Sequence, residues 1–239
     1  NIFIMFIIKS LSLLNKNGIL SFILPKNFLN CLYYNKTRNY INDNFTILNI
    51  SECNDDYIET KQETIIIIIK NVDKEIEKNR KFCLNVGNFN IFGVVENIQK
   101  IKSLRKNSSS LEKLGFNVSV GNIVWNQIKE ELTDDNSKTV LIYSSDIQNK
   151  KLSIKKNSNP LKKNYINKKG TNGSMIVINR GYGVGNYNFK YCLIKDGFEY
   201  LIENHLICIK FIKSISSCDL KILYKKIIKS FENKKTQEF

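Results

Sequence analysis

The stretch from Gly18 to Phe28, GILSFILPKNF, most constrains what this chain can fold into. Ile19 to Leu24 is an apolar run of the length of a buried strand, and Pro25 ends it. Gly18 closes a helix-like segment, residues 1–14, because glycine is common just after the end of a helix. The stretch therefore predicts a helix, a strand and a loop, in that order.

A second apolar run consists of five successive isoleucines, Ile65–Ile69. β-Branched side chains favour strands, and near-continuous apolarity in both runs predicts burial on both faces, as in a parallel sheet covered by helices. Between the two runs the pattern predicts a helix over Asn30–Asn42 and a strand over Phe45–Ile50. The expected apolar positions of that helix are Leu32, Tyr33, Tyr40 and Ile41. This order of elements is typical of an α/β fold.

The charge of the chain is uneven along its length. The net charge is +15, and residues 151–239 carry 18 basic against 6 acidic side chains, whereas residues 1–70 carry 7 against 6. A basic surface suits a polyanion, because Lys and Arg near phosphates release condensed counterions. An AT-rich genome would also raise the lysine content, but evenly. The uneven excess therefore favours a nucleic-acid partner.

The composition also argues against several other classes of protein. The apolar run Ile2–Ile8 is interrupted by Lys9 and is shorter than the ~20 residues that a membrane helix needs. It has no basic leader or small-residue cleavage site, so we expect an intracellular protein. The six cysteines form no C-x-x-C pair, and His205 is the single histidine. We therefore expect reduced thiols and no metal site.

A charged run at Asp73–Lys81 predicts the boundary between two domains, residues 1–75 and 76–239. In the second domain, short apolar runs alternate with Gly, Asn and Ser turns, which predicts a mixed, strand-rich domain with helices. The apolar runs are Val118–Val120, Val140–Tyr143, Met175–Ile178 and Tyr191–Ile194. A final helix over Asp219–Phe231 places Leu220, Leu223, Ile227 and Phe231 on one face.

One segment of the second domain carries candidate DNA contacts, and it contains Trp125, Asn126, Gln127 and Lys129. Asn and Gln can pair with adenine through two hydrogen bonds in the major groove, and Lys can contact guanine or phosphate. Trp125 is better interpreted as a core or interface residue.

Further along the chain, a strand leads into a tight turn with Asn179, Arg180 and Tyr182. Residues 150–169 are rich in Lys and Asn, and we expect a flexible insertion that contacts backbone phosphates. His205 follows Glu203 by two positions, and a lone histidine is more often structural than catalytic. We therefore assign His205 no chemistry.

The segment Leu11–Lys70, with LLNKNGILSFILPKNFLNCLYYNKTRNYI followed by ETIIIIIK, resembles the second half of the catalytic domain of adenine-specific DNA methyltransferases. These are enzymes of restriction-modification systems that carry a C-terminal target-recognition domain. The motifs LGFNVSVGNIVWNQIK, VINRGYG and ENHL extend the resemblance more loosely along the chain. The order of these motifs is more specific than any one of them.

The resemblance implies the closing half of a Rossmann-like methyltransferase sheet, with its last strand antiparallel and inserted, followed by a mixed α+β target-recognition domain. It implies S-adenosylmethionine as the cofactor, double-stranded DNA as the substrate and a cognate restriction endonuclease as a partner. It implies that the turn with Asn179, Arg180 and Tyr182 faces the DNA. It also implies that Tyr57, in the acidic loop between Ser51 and Thr64, stacks on a target base flipped out of the duplex. An ordinary loop tyrosine is the alternative for Tyr57.

The catalytic motif of that family, Asn-Pro-Pro-Tyr or a near relative, is absent, because the only prolines are Pro25 and Pro160. A cofactor loop at Gly181–Gly185 is disfavoured, since the segment that follows has the pattern of a strand and not of a helix. We therefore expect a fragment whose cofactor site lies mostly outside this chain and which is inactive alone. The alternatives are a stand-alone DNA-binding specificity module and an RNA methyltransferase.

Overall fold

The computed structural model describes residues 2–53, 62–72, 76–181 and 188–237. The chain divides into two compact units, Asn1–Ser108 and Ser109–Glu238. The boundary therefore follows Ser108 and does not fall in the charged run Asp73–Lys81, where the sequence predicted it. The reason is that the helices and the hairpin between residues 76 and 105 belong to the first unit.

The first unit alternates helices with strands in its first half and ends on a hairpin and a helix. Its elements are α1 (Ile2–Ser12), β1 (Ile19–Pro25), α2 (Asn35–Asn44), β2 (Thr46–Cys53), β3 (Thr64–Lys70), α3 (Ile76–Phe82), β4 (Cys83–Val86), β5 (Phe89–Phe92) and α4 (Val95–Arg105). The mixture of helices and strands is that of an α/β fold, as predicted.

Three strands form the main sheet of this unit, in the order β1-β3-β2. β3 is antiparallel to both neighbours, with Phe22 opposite Ile67 on one side and Ile50 opposite the same Ile67 on the other. β1 and β2 are therefore parallel to each other, with β3 inserted between them. An inserted antiparallel strand is what the resemblance implied for this position.

The sheet is buried on one face more than on the other. Ile65, Ile67 and Ile69 are fully buried with α1 and α2, whereas Ile19 and Ile23 of β1 are 60% and 64% exposed. The prediction of burial on both faces is wrong for β1 in this chain. Side chains alternate along a strand, and the described helices cover only one of the two faces.

The start and the buried face of α2 also differ from the prediction. A turn of 3-10 helix at Leu32–Tyr34 comes first, and the α-helix begins at Asn35. Among the predicted apolar positions Ile41 is buried, while Leu32, Tyr33 and Tyr40 are exposed. The buried face of α2 instead includes Arg38.

The second unit consists mainly of short strands and ends on a long helix. Its elements are β6 (Phe116–Val120), β7 (Leu132–Thr133), β8 (Thr139–Ile142), β9 (Ile147–Gln148), β10 (Lys151–Leu152), β11 (Tyr165–Ile166), β12 (Met175–Asn179), β13 (Tyr191–Ile194), β14 (Tyr200–Ile202), β15 (Leu206–Phe211), α5 (Ser217–Phe231) and α6 (Lys234–Gln237). The four strands predicted here, and the predicted last helix, are all present.

These strands form two sheets and a hairpin. The mixed sheet has the order β14-β8-β11-β7, the antiparallel sheet has the order β13-β12-β15-β6, and β9 pairs with β10. An apolar core that includes Ile142, Val177 and Cys208 lies between the two sheets. The other face of the antiparallel sheet packs on α5, where Tyr224 and Ile227 are buried. The unit is therefore layered as sheet, sheet and helix.

The lysine-rich segment 150–169 is not the flexible insertion that the sequence predicted. It contains β10 and β11, and Ile166 is fully buried. Lys163 and Lys168 form ion pairs with Asp134 and Glu131, at 3.4 and 2.8 Å. The apolar residues within the segment are enough to anchor it to the mixed sheet.

Candidate nucleic-acid interface

A turn at Glu203–His205 joins β14 to β15 and is built on a buried carboxylate. The Glu203 side chain is 1% exposed, whereas the His205 side chain is 41% exposed. One Glu203 oxygen accepts a hydrogen bond from the His205 amide at 3.0 Å, and the other lies 2.5 Å from His205 Nδ1. Because a buried carboxylate is tolerated when it is hydrogen-bonded, these contacts hold the turn in one conformation.

Arg180 is bound to this turn through its main chain and its side chain. Its amide donates to the His205 carbonyl at 3.0 Å, and its Nη1 donates to the Asn204 carbonyl at 3.0 Å. Arg180 is exposed, and no carboxylate in the described part of the chain pairs with it. The guanidinium therefore presents an uncompensated positive charge at the surface, where the sequence predicted a DNA contact.

The loop after β6 lies against the same turn. The Asn204 amide donates to the Ile123 carbonyl at 2.8 Å, and the Ile123 amide donates to the Ile202 carbonyl at 3.2 Å. A Cβ at Gly121 would lie 2.2 Å from the Glu203 carbonyl oxygen, so only glycine permits this approach. The two segments with predicted DNA contacts, distant in sequence, are therefore joined through one turn.

Trp125 packs partly into the outer face of the mixed sheet and partly against lysines. It begins a turn of 3-10 helix, Trp125–Gln127, and packs against a cluster that contains Leu141, Tyr143 and Ile166. Lys129 Nζ and Lys162 Nζ each lie 5.9 Å from the centroid of its ring. A lysine over an aromatic face is attracted by the ring quadrupole. The contacts place two cations beside the indole, consistent with its interpretation as an interface residue.

The neighbouring amides point away from the core. Asn126 and Gln127 are exposed, and within the described ranges neither side chain has a hydrogen-bond partner. Lys129 is exposed as well. Asn126 and Gln127 can therefore reach a ligand without breaking a hydrogen bond within the described residues, and Lys129 can do so from its place beside the Trp125 ring.

Asn179 has a different environment from the one that the sequence suggested. Its Nδ2 donates to the Asn188 carbonyl at 2.8 Å, and its Oδ1 accepts from the Lys190 amide at 2.7 Å. The amide thus closes the base of the connection between β12 and β13. Asn179 supports the segment that carries Arg180, and both ends of its amide already bind main chain.

The remaining predicted contacts, Tyr57 and Tyr182, lie outside the described residues. Most of the glycine-rich turn Gly181–Gly185 lies outside them too. The strand before that turn, β12, pairs antiparallel with the strand after it, β13. A cofactor loop of the Rossmann type leads from a strand into a helix. The described residues here do not fit S-adenosylmethionine.

Lys162 and Tyr143 lie beside the candidate interface, and the sequence did not single them out. Lys162 Nζ lies 4.2 Å from the Tyr143 ring centroid, between that ring and Trp125. Burial raises the pKa of Tyr143, and the charges of Glu203 and Asp146 raise it further. Tyr143 is therefore neutral at physiological pH, and its hydroxyl donates to the Lys163 carbonyl at 2.8 Å. The only signal for Lys162 was its place in a lysine-rich segment.

Neither a metal site nor a membrane-spanning helix is found in the described residues. No group of His, Cys, Asp or Glu in these ranges has the arrangement of a metal site. In the same ranges, no helix combines the length and the apolarity that crossing a membrane requires.

Comparison with known proteins identifies a match to the first part of the chain and a match to most of its length. Residues 1–58 match the family described as Eco57I restriction-modification methylase. Over 227 residues the chain is 27% identical to "Type II methyltransferase M.CvrRI" of Paramecium bursaria Chlorella virus XZ-6E, which covers 93% of this chain. The resemblance to restriction-modification methyltransferases is thereby confirmed.

The methylase family match covers α1, β1, α2 and β2 of the first unit. The alignment with the viral methyltransferase extends over most of both units, so it includes the second unit with its candidate interface. The chain spans 55% of the length of that methyltransferase.

Proposed function

We propose that this chain is part of a restriction-modification methyltransferase that transfers a methyl group from S-adenosylmethionine to the exocyclic amine of adenine in a specific sequence of double-stranded DNA. The second unit serves as the target-recognition domain. One observation carries this assignment: a single turn, Glu203–His205, gathers Arg180 and the loop that leads to Trp125 onto one surface.

The charges around this surface support DNA as the ligand. Lys129 and Lys162 flank Trp125, and Arg180 has no carboxylate partner among the described residues. Asn126 and Gln127 are exposed and have the hydrogen-bonding groups that suit adenine. Phosphate contacts would position the protein, and the amides and Arg180 would contact base edges.

The open surface of the first unit supports the proposal that its sheet is the closing half of a larger Rossmann-like sheet. β1 lies at the end of the sheet order, so one edge of it pairs with no described strand. Ile19 and Ile23 of β1 and Met5 and Phe6 of α1 are more than half exposed. Apolar surface next to an unpaired strand edge is stabilised when further strands and helices cover it.

Binding measurements with the 239-residue chain test the recognition role. We expect salt-sensitive binding to duplex DNA and no heat of binding when S-adenosylmethionine is titrated alone. Stronger competition by duplex RNA than by duplex DNA would favour an RNA methyltransferase. Tight cofactor binding by the chain would contradict its assignment as the half without the cofactor site.

Methylation by a longer protein that contains this chain tests the reaction. We expect labelled methyl groups on adenine, at one short sequence, and no transfer by the 239-residue chain alone. Label on cytosine would refute the adenine assignment. Protection of that same sequence from an endonuclease of the same source would identify the cognate restriction partner.

The role of Tyr57 remains a proposal that rests on the family resemblance. In the longer protein, Tyr57→Ala should lower the methylation rate, because an aromatic face offsets part of the cost of unpairing the target base. Tyr57→Phe keeps the ring and should keep most of the rate. Equal losses in the two variants would contradict stacking.

A further inference from the structure

Glu203 is a carboxylate in the interior of a basic unit. Its side chain is 1% exposed, and both of its oxygens are directed at His205, one at the amide and one at Nδ1. Burying a carboxylate is costly unless it accepts hydrogen bonds, and it adds little stability compared with an apolar side chain of similar size. A carboxylate retained in the interior is therefore a candidate for fixing the conformation of its surroundings. Here, Glu203 fixes the conformation of the Glu203–His205 turn.

The two carbonyls of this turn hold Arg180. The His205 carbonyl accepts from the Arg180 amide, and the Asn204 carbonyl accepts from Arg180 Nη1, each at 3.0 Å. Arginine has five N–H donors in a planar fork, and the Nη1 bond to Asn204 orients that plane while the other donors stay on an exposed side chain. The direction of the fork therefore depends on the conformation of the turn.

We propose that Glu203 is a positioning residue that fixes the direction from which Arg180 approaches a base edge. Its carboxylate holds the His205 amide and imidazole, these hold the turn, and the Asn204 carbonyl of the turn holds the guanidinium. Glu203 thereby contributes to sequence preference without touching DNA. This inference rests on the proposed DNA-recognition function of the second unit.

A double-mutant cycle on the 239-residue chain tests the inference. Binding to a library of duplexes with each base varied in turn is measured for the wild type, Glu203→Ala, Arg180→Ala and the double variant. We expect both single variants to lose about tenfold in base preference at the same position. The double variant should lose no more than either single variant, because the two residues act through one contact.

Glu199 offers a matched control in the same unit. It is exposed, and its carboxylate accepts from the Gly170 amide at 3.2 Å. Glu199→Ala removes the same charge without touching the Glu203–His205 turn, and it should leave the base preference unchanged. A loss at the same position in this control would attribute the effect to net charge and overturn the inference.

Glu203→Gln keeps the test decisive if Glu203→Ala does not fold. Glutamine retains an oxygen that can accept from the His205 amide, so we expect a smaller loss of preference, again at the position affected by Arg180→Ala. A uniform loss of affinity for all sequences, an unchanged preference, or additive losses in the double variant would each overturn the positioning role. A wild-type chain without any sequence preference would instead refute the proposed function itself.

Discussion

Arg38 is a cation that the fold of the first unit places in its interior. It is fully buried, and it donates to the carbonyls of Asn90, Phe28 and Cys31 at 2.6, 2.8 and 2.8 Å. Burial lowers its pKa to about 10. The guanidinium links α2 to the loop after β1 and to β5, which are connections that no apolar side chain could make.

Replacing Arg38 should therefore destabilise the first unit. Arg38→Ala leaves three carbonyl oxygens without this donor, and we expect a loss of about 3 kcal/mol, since a buried unpaired polar group costs ~1–3 kcal/mol. Urea denaturation measures the change. Lys36→Ala, at an exposed position of the same helix, should have little effect. Equal midpoints for the two variants would contradict the structural role of Arg38.

The cysteines of the second unit differ in their exposure and therefore in their reactivity. Burial raises the pKa of Cys192 to about 12, with a smaller effect from Asp146, and raises that of Cys208 to about 11. Cys218, in α5, is exposed. Since the thiolate is the reactive form, a raised pKa leaves less of it at pH 8.

Alkylation at pH 8, followed by peptide mass mapping, should label Cys218 first. Cys192 and Cys208 should react at least about a hundredfold more slowly and become reactive only when urea unfolds the unit. Their protonated thiols favour the folded state, and this stabilisation is complete below the ordinary thiol pKa of ~8.5. It is lost as the pH rises through the raised values. Rapid labelling of Cys192 in the folded chain would contradict its burial.

At the scale of elements, the candidate interface depends on a close contact between the loop 121–127 and the turn Glu203–His205. The Ile202 and Glu203 carbonyls would lie 2.6 and 2.2 Å from a Cβ at Gly121. No side-chain rotation relieves a clash between a Cβ and the main chain. The loop can therefore keep its place only with glycine at this position.

Gly121→Ala should displace the loop from the turn. We expect a loss of about 2 kcal/mol in stability, within the range of ~1–3 kcal/mol typical of overpacking, together with weaker DNA binding. The exposed neighbour gives a control, Asn122→Ala, which should change the stability little. Unfolding curves and a DNA titration report the two effects. Wild-type values for Gly121→Ala would mean that the loop does not pack as closely as the structure indicates.

At the scale of the whole molecule, the positive charge determines how binding responds to salt. Residues 151–239 carry 18 basic and 6 acidic side chains, and Lys162 in this part stands beside Trp125. Several basic side chains nonetheless have carboxylate partners, including Lys163 and Lys168. The lysines beside Trp125 are therefore better candidates for phosphate contacts than the lysines that pair with carboxylates.

Salt titrations of DNA binding should resolve these contacts. The logarithm of the binding constant should fall linearly with the logarithm of salt concentration, and Lys129→Ala or Lys162→Ala should each reduce the slope by about 1. Lys36→Ala, in the first unit, should leave the slope unchanged. A slope that neither lysine variant changes would exclude both residues as phosphate contacts.

Local sequence pattern determined the elements of this protein and the sign of its charge. β1, β3, β12 and α5 lie where the apolar runs and the helical period placed them, because these patterns depend on residues a few positions apart. The excess of lysine likewise needs no fold to be recognised. The prediction of the inserted antiparallel strand came from the family resemblance.

Only the tertiary structure decided which faces are buried and which distant residues meet. Ile23 is exposed and Arg38 is buried, against the apolar pattern, because burial depends on what packs on each face. Arg180, Ile123 and Asn204 are joined by main-chain hydrogen bonds and one guanidinium contact. Main-chain carbonyl and amide groups are the same in every residue except proline, so no pattern of side chains along the chain could have predicted their pairing.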